Sequence, residues 1–384
     1  YWRYGIPIYL LLTSVLLTIA NVGSGVTAET IITSDGKIFD QSELIRVSIA
    51  SSIAELWKTE SYPLAIFIAI TSMFWPYGKL IAGLLAWVLP IKNHRQRELL
   101  VEIVDATDKW SFVDIFVFVI IMVSFRSTIN AGLGVKLEVA IVPLWGFYLF
   151  IFANMLSLLG THMILFHHRR LQKMSTQEQE NENVKNNEKS RMATNTKTNS
   201  FLLTAVILLC IAFHVTGIVL KIFEVQNTRS TQTFNVQYSI LDVGYQIPGA
   251  TFTPSDFGVR FIQAMYYILE IGLPIWNSIL FASLYFIPLL TLWQERIFLL
   301  AQITFSWQCV EVMTLSIIFS VLQMPKFGNG LIDAGCSECY RVDSRILIPS
   351  FAVVCVSTVL NVATNLWLYQ RTHRFLYPHN KPHK

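Results

Sequence analysis

Long apolar runs separated by short polar segments dominate the chain. Each run comes close to, or exceeds, the roughly 20 apolar residues that a helix needs to cross a bilayer core of about 30 Å. A buried core helix of a soluble protein would explain one such run but not eight. The pattern therefore predicts an all-α polytopic membrane protein with eight transmembrane helices, at 6–27, 62–89, 111–129, 139–166, 201–223, 261–292, 297–324 and 346–369.

Two of the polar segments carry their own structural signals. Residues 30–58 contain a turn signal at Asp35-Gly36 and then a helical pattern with its apolar residues on one side. This pattern fits either an interfacial helix lying on the membrane or a cap on the helix bundle. Residues 225–258 alternate in places and predict small β-structure in an exoplasmic loop.

A polar, mixed-charge segment divides the chain into two similar parts. Trp110-Ser-Phe-Val-Asp114 resembles Trp307-Gln-Cys-Val-Glu311, and the upstream prolines Pro63 and Pro76 correspond to Pro274 and Pro288. This internal repeat predicts two tandem four-helix units that cross the membrane in the same direction. The units are residues 1–170 and 201–384, and residues 171–200 are a flexible cytosolic linker.

Charge distribution supports a membrane location and gives an orientation. Only 14% of the residues are charged, against about 25% in soluble domains. Lys and Arg are more frequent on the side that holds both termini and the linker, so we expect that side to be cytosolic. No basic surface suggests a nucleic-acid partner. Because the chain begins at Tyr1, we also expect further sequence before it.

Two carboxylates at the edges of apolar runs are the main candidates for a functional site. Trp110 and Asp114, like Trp307 and Glu311, are four residues apart and share one helix face. Because Trp favours the membrane interface, each acid lies about one turn deeper and must face protein or water. Lys79 is the candidate partner of Asp114. Two interpretations stay open, a structural ion pair or a polar lining for a lipid headgroup or proton path.

The cysteines and histidines give weaker signals. Cys336 and Cys339 form one Cys-x-x-Cys pair in an expected exoplasmic loop, where a disulfide or two free thiols are the alternatives. A structural zinc site needs four ligands, so no metal site is expected. His162, His167 and His168 are interpreted as part of a basic cytosolic interface.

Recognised catalytic patterns are missing from the sequence. We find no nucleophile elbow, no phosphate-binding Gly-Lys-Ser/Thr loop and no zinc-protease helix motif. We therefore expect that the protein is not an enzyme and that it needs no cofactor.

One stretch of the chain resembles a known family. The segments "WPYGKLIAGLLAWVLP" and "KWSFVDIFV" are similar to a hairpin and motif of the paraquat-inducible protein A family. Phe112 stands where the family usually has Met. The resemblance covers residues 45–165 well and 201–370 more weakly. The family pattern falls on Pro76, Lys79, Lys109, Trp110, Ser111 and Asp114, with Trp307 and Glu311 in the second copy.

This resemblance implies a fold and a role. It implies two tetraspanin- or claudin-like four-helix units. It also implies a membrane subunit that loads or moves phospholipid between the bilayer and a tunnel- or bridge-like lipid-transfer partner, with phospholipid bound and other membrane subunits present. Alternatives are a claudin-like structural subunit or a small-solute secondary transporter. The family's zinc ribbons are missing from this sequence, and its linker is rich in Asn and Lys. Both features favour a eukaryotic endomembrane such as the ER over a bacterial inner membrane.

Overall fold

Helices and two small antiparallel sheets make up the structure, a computed structural model. It describes residues 2–34, 37–58, 60–88, 103–105, 107–132, 135–177, 200–229, 232–332 and 341–376. Cys336, Cys339 and residues 178–199 of the expected linker lie outside the described residues. The first residues of that linker, 171–177, are not a separate segment but continue the preceding helix.

In the described part of the first half, the main elements are six α-helices and four strands. Its elements are α1 (Trp2–Val22), β1 (Val26–Ser34), β2 (Lys37–Val47), α2 (Ile49–Lys58), α3 (Tyr62–Ile68), α4 (Trp75–Val88), α5 (Val113–Phe125), β3 (Ser127–Gly132), β4 (Val135–Pro143) and α6 (Trp145–Gln177). A π turn, Ala69–Phe74, joins α3 to α4, and a 3-10 turn, Asp108–Phe112, precedes α5.

The second half follows a similar order of elements. These are α7 (Ser200–Val219), β5 (Phe223–Arg229), β6 (Gln232–Tyr238), α8 (Ile240–Gln246), α9 (Phe257–Tyr267), α10 (Leu273–Phe286), α11 (Thr291–Trp307), α12 (Val310–Ile332), β7 (Arg341–Ile346) and α13 (Ile348–Leu376). A π turn, Ile268–Gly272, joins α9 to α10, and a 3-10 turn, Pro248–Ala250, follows α8.

Prolines explain the two π turns and correct the expected alignment of the halves. Pro76 and Pro274 each stand two residues after a π turn. Proline has no N–H for the usual bond to the carbonyl four residues earlier, and a π turn is a common way to accommodate such a disruption. Pro274 thus occupies the place of Pro76, whereas the sequence comparison matched it with Pro63. Pro288 lies in the connection between α10 and α11.

Both sheets form at helix ends. Four strands pair in the order β2-β1-β4-β3, and three pair in the order β6-β5-β7. In the first sheet Val26 lies opposite Pro143, and in the second Phe223 lies opposite Ile346. Each sheet therefore joins the end of one long helix to the start of another. The expected strand-like structure within 225–258 is confirmed for β5 and β6, whereas its later part is helical.

Seven helical segments of the described residues are long and apolar enough to cross a membrane, by length and composition. They are Tyr4–Val22, Tyr62–Val88, Trp145–His167, Phe201–Val219, Phe257–Phe286, Thr291–Lys326 and Ile348–Leu376. An integral membrane protein is the natural interpretation. The expected count of eight is not confirmed. The run 111–129 forms α5, which has only 13 residues, of which 11 are buried, so protein surrounds it.

The predicted amphipathic helix is α2, which has one buried face and one exposed face. Leu56 is buried against a small cluster with Leu64 and Ile68. Trp57 next to it is 53% exposed and meets the ring of Tyr62 edge-on. One face of α2 therefore packs on α3, and a large aromatic side chain remains outside.

The centre of the structure lies where α5 packs against α12. Both helices follow the similar motifs that begin at Trp110 and Trp307. The Ser316 hydroxyl of α12 donates to the carbonyl of Val113 at the start of α5, at 3.3 Å. Apolar residues of both halves share one large core cluster around this helix pair. The beginnings of α5 and α12 therefore meet inside the protein.

Candidate functional site

Charged side chains collect where α5 and α12 begin, and the 3-10 turn of residues 108–112 positions them. In this tighter turn Asp108 and Lys109 point towards different neighbours. Asp108 faces α4 of its own half, and Lys109 faces α12 of the other half. We call this set of ionic and polar contacts the buried charged network.

The first contact of the network is an ion pair between Lys79 and Asp108. Their side chains are 1% and 0% exposed, and the Lys79 ammonium also donates to the Ser111 hydroxyl at 3.0 Å. Burial raises the pKa of the Asp108 carboxyl, and the Lys79 ammonium opposes that rise. The expected pairing of Lys79 with Asp114 is therefore wrong. Asp114 instead lies beside Ser72 of the π turn.

The second contact is an ion pair that joins the two halves. Lys109 pairs with Glu311, and the ammonium also lies 4.7 Å from the centre of the Phe305 ring. The cation that pairs with Glu311 therefore comes from the other half of the chain. Glu270, in the second π turn and 1% exposed, brings another carboxylate close enough to interact with Glu311. A second buried carboxylate therefore lies near the one that pairs with Lys109.

The third contact is a hydrogen-bonded chain between the halves. His162 Nδ1 lies 2.9 Å from the Asp105 carboxylate, and the Trp307 indole N–H donates to His162 Nε2 at 3.0 Å. Because Nε2 accepts from Trp307, the ring proton belongs on Nδ1, where it is donated to Asp105. The Ser306 hydroxyl also donates to Asp105, at 2.6 Å. His162 is thus buried, and its assignment to a basic cytosolic interface is wrong.

Amides replace charges at the related place in the second half. Asn277 stands three residues after Pro274, as Lys79 stands three residues after Pro76. It donates to Asn365 at 2.9 Å, and both Asn365 and Gln308 donate to Asn361 at 2.9 Å. All four amides are buried. The second half therefore has a neutral chain where the first half has an ion pair.

The structure brings most of the sequence-predicted residues together. Lys79, Lys109, Ser111, Trp307 and Glu311 belong to the network, and Asp114 is buried beside it. Pro76 and Trp110 take structural positions, Pro76 buried in α4 and Trp110 partly buried against the core.

Sequence reasoning missed Asp105, Asp108 and His162 as network members. Their signal was a charged or titratable side chain close to, or inside, an apolar run. The two acids lie in the short polar segment before Trp110, which is typical of an exposed connection. In the structure both are almost fully buried.

The described crevice beside the buried charged network is small. At the contact between the halves, a crevice lined by Phe116, Ile151 and Tyr266 measures about 10 Å³, which is no more than one water needs. This crevice is therefore too small for a lipid chain. Among the described residues, no group of three or more His, Cys, Asp and Glu side chains is arranged to hold a metal ion.

Comparison with known proteins identifies one part of the chain. Residues 41–163 match the sequence model of the paraquat-inducible protein A family. This range contains Lys79, Asp108, Lys109, Ser111 and Asp114, so the resemblance drawn from these motifs is confirmed there. No curated protein and no solved structure matches the chain.

Proposed function

Because residues 41–163 match the paraquat-inducible protein A family, we propose that this protein is a membrane subunit for lipid transport. In this proposal it loads or moves phospholipid between the bilayer and a tunnel-forming lipid-transfer partner. The family match is the observation that carries the proposal, and the seven candidate spans support it. The protein performs no bond-making chemistry and uses no cofactor.

The buried charged network has a structural role in this proposal. Ion pairs removed from water are stable only when both partners are present, so they fix which surfaces meet. Lys109 and Glu311 come from different halves, as do Ser306 and Asp105. In this proposal the network stabilises the contact between the two halves of the chain, and the crevice beside it has no room for a lipid chain.

The second sheet offers a place for the partner to dock. β6 is an edge strand, and Phe234 and Val236 on it are 50% and 39% exposed. Exposed edge strands with apolar side chains are the usual template for strand addition by another chain. With α5 counted as an eighth crossing that protein encloses, we place this sheet on the exoplasmic side and both termini in the cytosol, because Lys and Arg are more frequent on the side of the termini. The missing zinc ribbons and the Asn/Lys-rich linker favour a eukaryotic endomembrane such as the ER.

Affinity purification from native membrane in a mild detergent tests the proposal, with mass spectrometry of both proteins and lipids. We expect a tunnel-forming lipid-transfer protein in stoichiometric amount together with phospholipid. A Phe234→Asp, Val236→Asp variant should lose the partner, whereas Asn235→Asp on the same strand should keep it. A monomer without partner or lipid would refute the proposal. A partner without lipid would favour the structural, claudin-like alternative.

A proton-coupled small-solute transporter is a second candidate. The neighbouring carboxylates of Glu270 and Glu311 favour it, because acidic groups placed together within the membrane region are typical of proton relays. Flux assays on the purified full chain in liposomes separate the candidates. Proton-driven solute uptake that is lost in Glu270→Gln would support this candidate, and lipid exchange without such uptake would exclude it.

A further inference from the structure

A large apolar groove lies away from the buried charged network, in the second half. It runs between α12, β7 and the first turns of α13, and its volume is about 710 Å³. Pockets of about 300–1,000 Å³ are the size that holds a single small organic ligand. The lining is almost entirely apolar and includes Val321, Leu322, Ile346, Ala352 and Val356.

The position of the groove relates it to the membrane. Leu322 lies near the end of the candidate span Thr291–Lys326, and Ile348 begins the span Ile348–Leu376. Their side chains are 61% and 76% exposed, so they point outwards where hydrocarbon would surround a spanning helix. The groove therefore starts at the bilayer and continues to β7, beyond the ends of both spans.

Arg345 gives the outer end of the groove a positive charge. Its side chain is 63% exposed, and Nη2 lies 3.2 Å from both carboxylate oxygens of Glu224. Glu224 is 2% exposed and also accepts from Gln226 at 2.9 Å and Gln237 at 3.1 Å. This carboxylate fixes the position of Arg345. A guanidinium has five N–H donors, and in the described structure only those on Nη2 serve Glu224.

We propose that the groove binds one phospholipid from the bilayer, with an acyl chain between α12 and α13 and the phosphate at Arg345. An apolar channel that ends at one fixed, exposed guanidinium matches the polarity of such a lipid along its length. Arginine donors also suit phosphate geometry. The inference rests on the proposed function, because it names where the lipid of that function would bind.

The first experiment fills the groove. Full-length protein is purified in mild detergent from membranes, and phospholipid bound per chain is counted by native mass spectrometry. Ala352→Trp places an indole inside the groove, and Val359→Trp places one on the same face of α13 two turns away, outside it. We expect about a tenfold loss of bound phospholipid in the first variant and none in the second. Equal retention in both variants overturns the proposal.

The second experiment tests the phosphate contact. Two diazirine-labelled probes, phosphatidylcholine and diacylglycerol, are photo-crosslinked to the full chain in nanodiscs, and labelled peptides are identified. We expect phosphatidylcholine to label residues 341–356 and diacylglycerol, which lacks phosphate, to do so about tenfold less. Arg345→Gln should lower phosphatidylcholine labelling to the diacylglycerol level, whereas Arg260→Gln on α9 should not. Equal labelling by both probes overturns the headgroup assignment.

These experiments distinguish a failure of the groove assignment from a failure of the transport proposal. Lipid that is lost from the groove in Ala352→Trp, in a protein that has no tunnel-forming partner, supports the groove and refutes the proposed function. A partner that co-purifies with lipid which Ala352→Trp retains supports the function and overturns the groove.

Discussion

Lys109 and Glu311 form an ion pair between the two halves of the chain, with side chains that are 4% and 18% exposed. The pair lies beside the contact of α5 and α12, where most neighbouring side chains are apolar. Removing charges from water is costly, and an ion pair in such surroundings is stable only while both partners remain. Either charge left without its partner should therefore weaken the contact between the halves.

Replacing one partner of the Lys109–Glu311 pair should destabilise the protein more than replacing both. Lys109→Met leaves the Glu311 carboxylate without its partner, and we expect a loss of about 3–5 kcal/mol in the free energy of unfolding. The double variant Lys109→Met, Glu311→Leu should recover most of that loss. Chemical unfolding in detergent micelles gives both values. A double variant as unstable as the single one would mean that the charge pair itself supplies the stability.

Lys79 should be coupled energetically to Asp108 and not to Asp114. A double-mutant cycle of Lys79→Met and Asp108→Leu should give an interaction energy of about 1–3 kcal/mol, because the two groups are in contact. The same cycle with Asp114→Leu should give less than about 0.5 kcal/mol. Unfolding of the wild type, the three single variants and the two double variants measures both. Larger coupling to Asp114 would contradict the contact seen here.

Gly146 should not tolerate a side chain, whereas Gly78 should. A Cβ on Gly146 would lie 2.6 Å from the carbonyl oxygen of Ser24, a backbone atom that cannot rotate away. We expect Gly146→Ala to destabilise the protein by about 1–3 kcal/mol. A Cβ on Gly78 meets nothing within 4 Å, and in a helix Gly78→Ala should add about 0.5–1 kcal/mol. Thermal unfolding of the two variants should shift in opposite directions.

The second sheet should weaken in acid through Glu224. The hydrogen bond from Gln226, then those from Gln237 and Arg345, lowers the pKa of this carboxyl below its ordinary value of 4.5. A carboxylate with a lowered folded pKa stabilises the fold above its unfolded pKa and loses that contribution as the pH falls through the folded value. The difference in melting temperature between wild type and Glu224→Gln should therefore shrink below about pH 4.5.

Two comparisons check that pH dependence. Gln226→Ala removes the first of these hydrogen bonds and brings the folded pKa closer to its ordinary value, so the acid-induced loss of stability should be smaller and complete at a higher pH than in the wild type. A difference between wild type and Glu224→Gln that stays constant from neutral pH to about pH 3 would show that the ionised carboxylate does not stabilise the sheet.

The general architecture follows from the sequence because apolar length and alternation are local properties. The seven candidate spans and the hairpin of β5 and β6 could be read directly from the order of residues. α5 was different. A helix enclosed by protein is as apolar as one enclosed by lipid, so the composition of 111–129 could not separate the two environments.

Side-chain partners in the candidate site were not predictable in the same way. Lys79 was matched with Asp114 on the assumption that a regular helix begins at Trp110. The 3-10 turn of residues 108–112 changes the direction of each side chain and presents Asp108 instead. The partner of Glu311 lies in the other half, about 200 residues earlier. No local pattern encodes a contact at that separation.

The pairing of Lys109 with Glu311 has a consequence for how the protein is made. At a synthesis rate of about 5–20 residues per second, Lys109 leaves the ribosome roughly 10–40 s before Glu311 exists. An ammonium that is buried without a partner is costly, so the newly made first half cannot complete this contact during that interval. The Lys109 side of the contact therefore waits for the second half, and the two halves join at this point after each has been made.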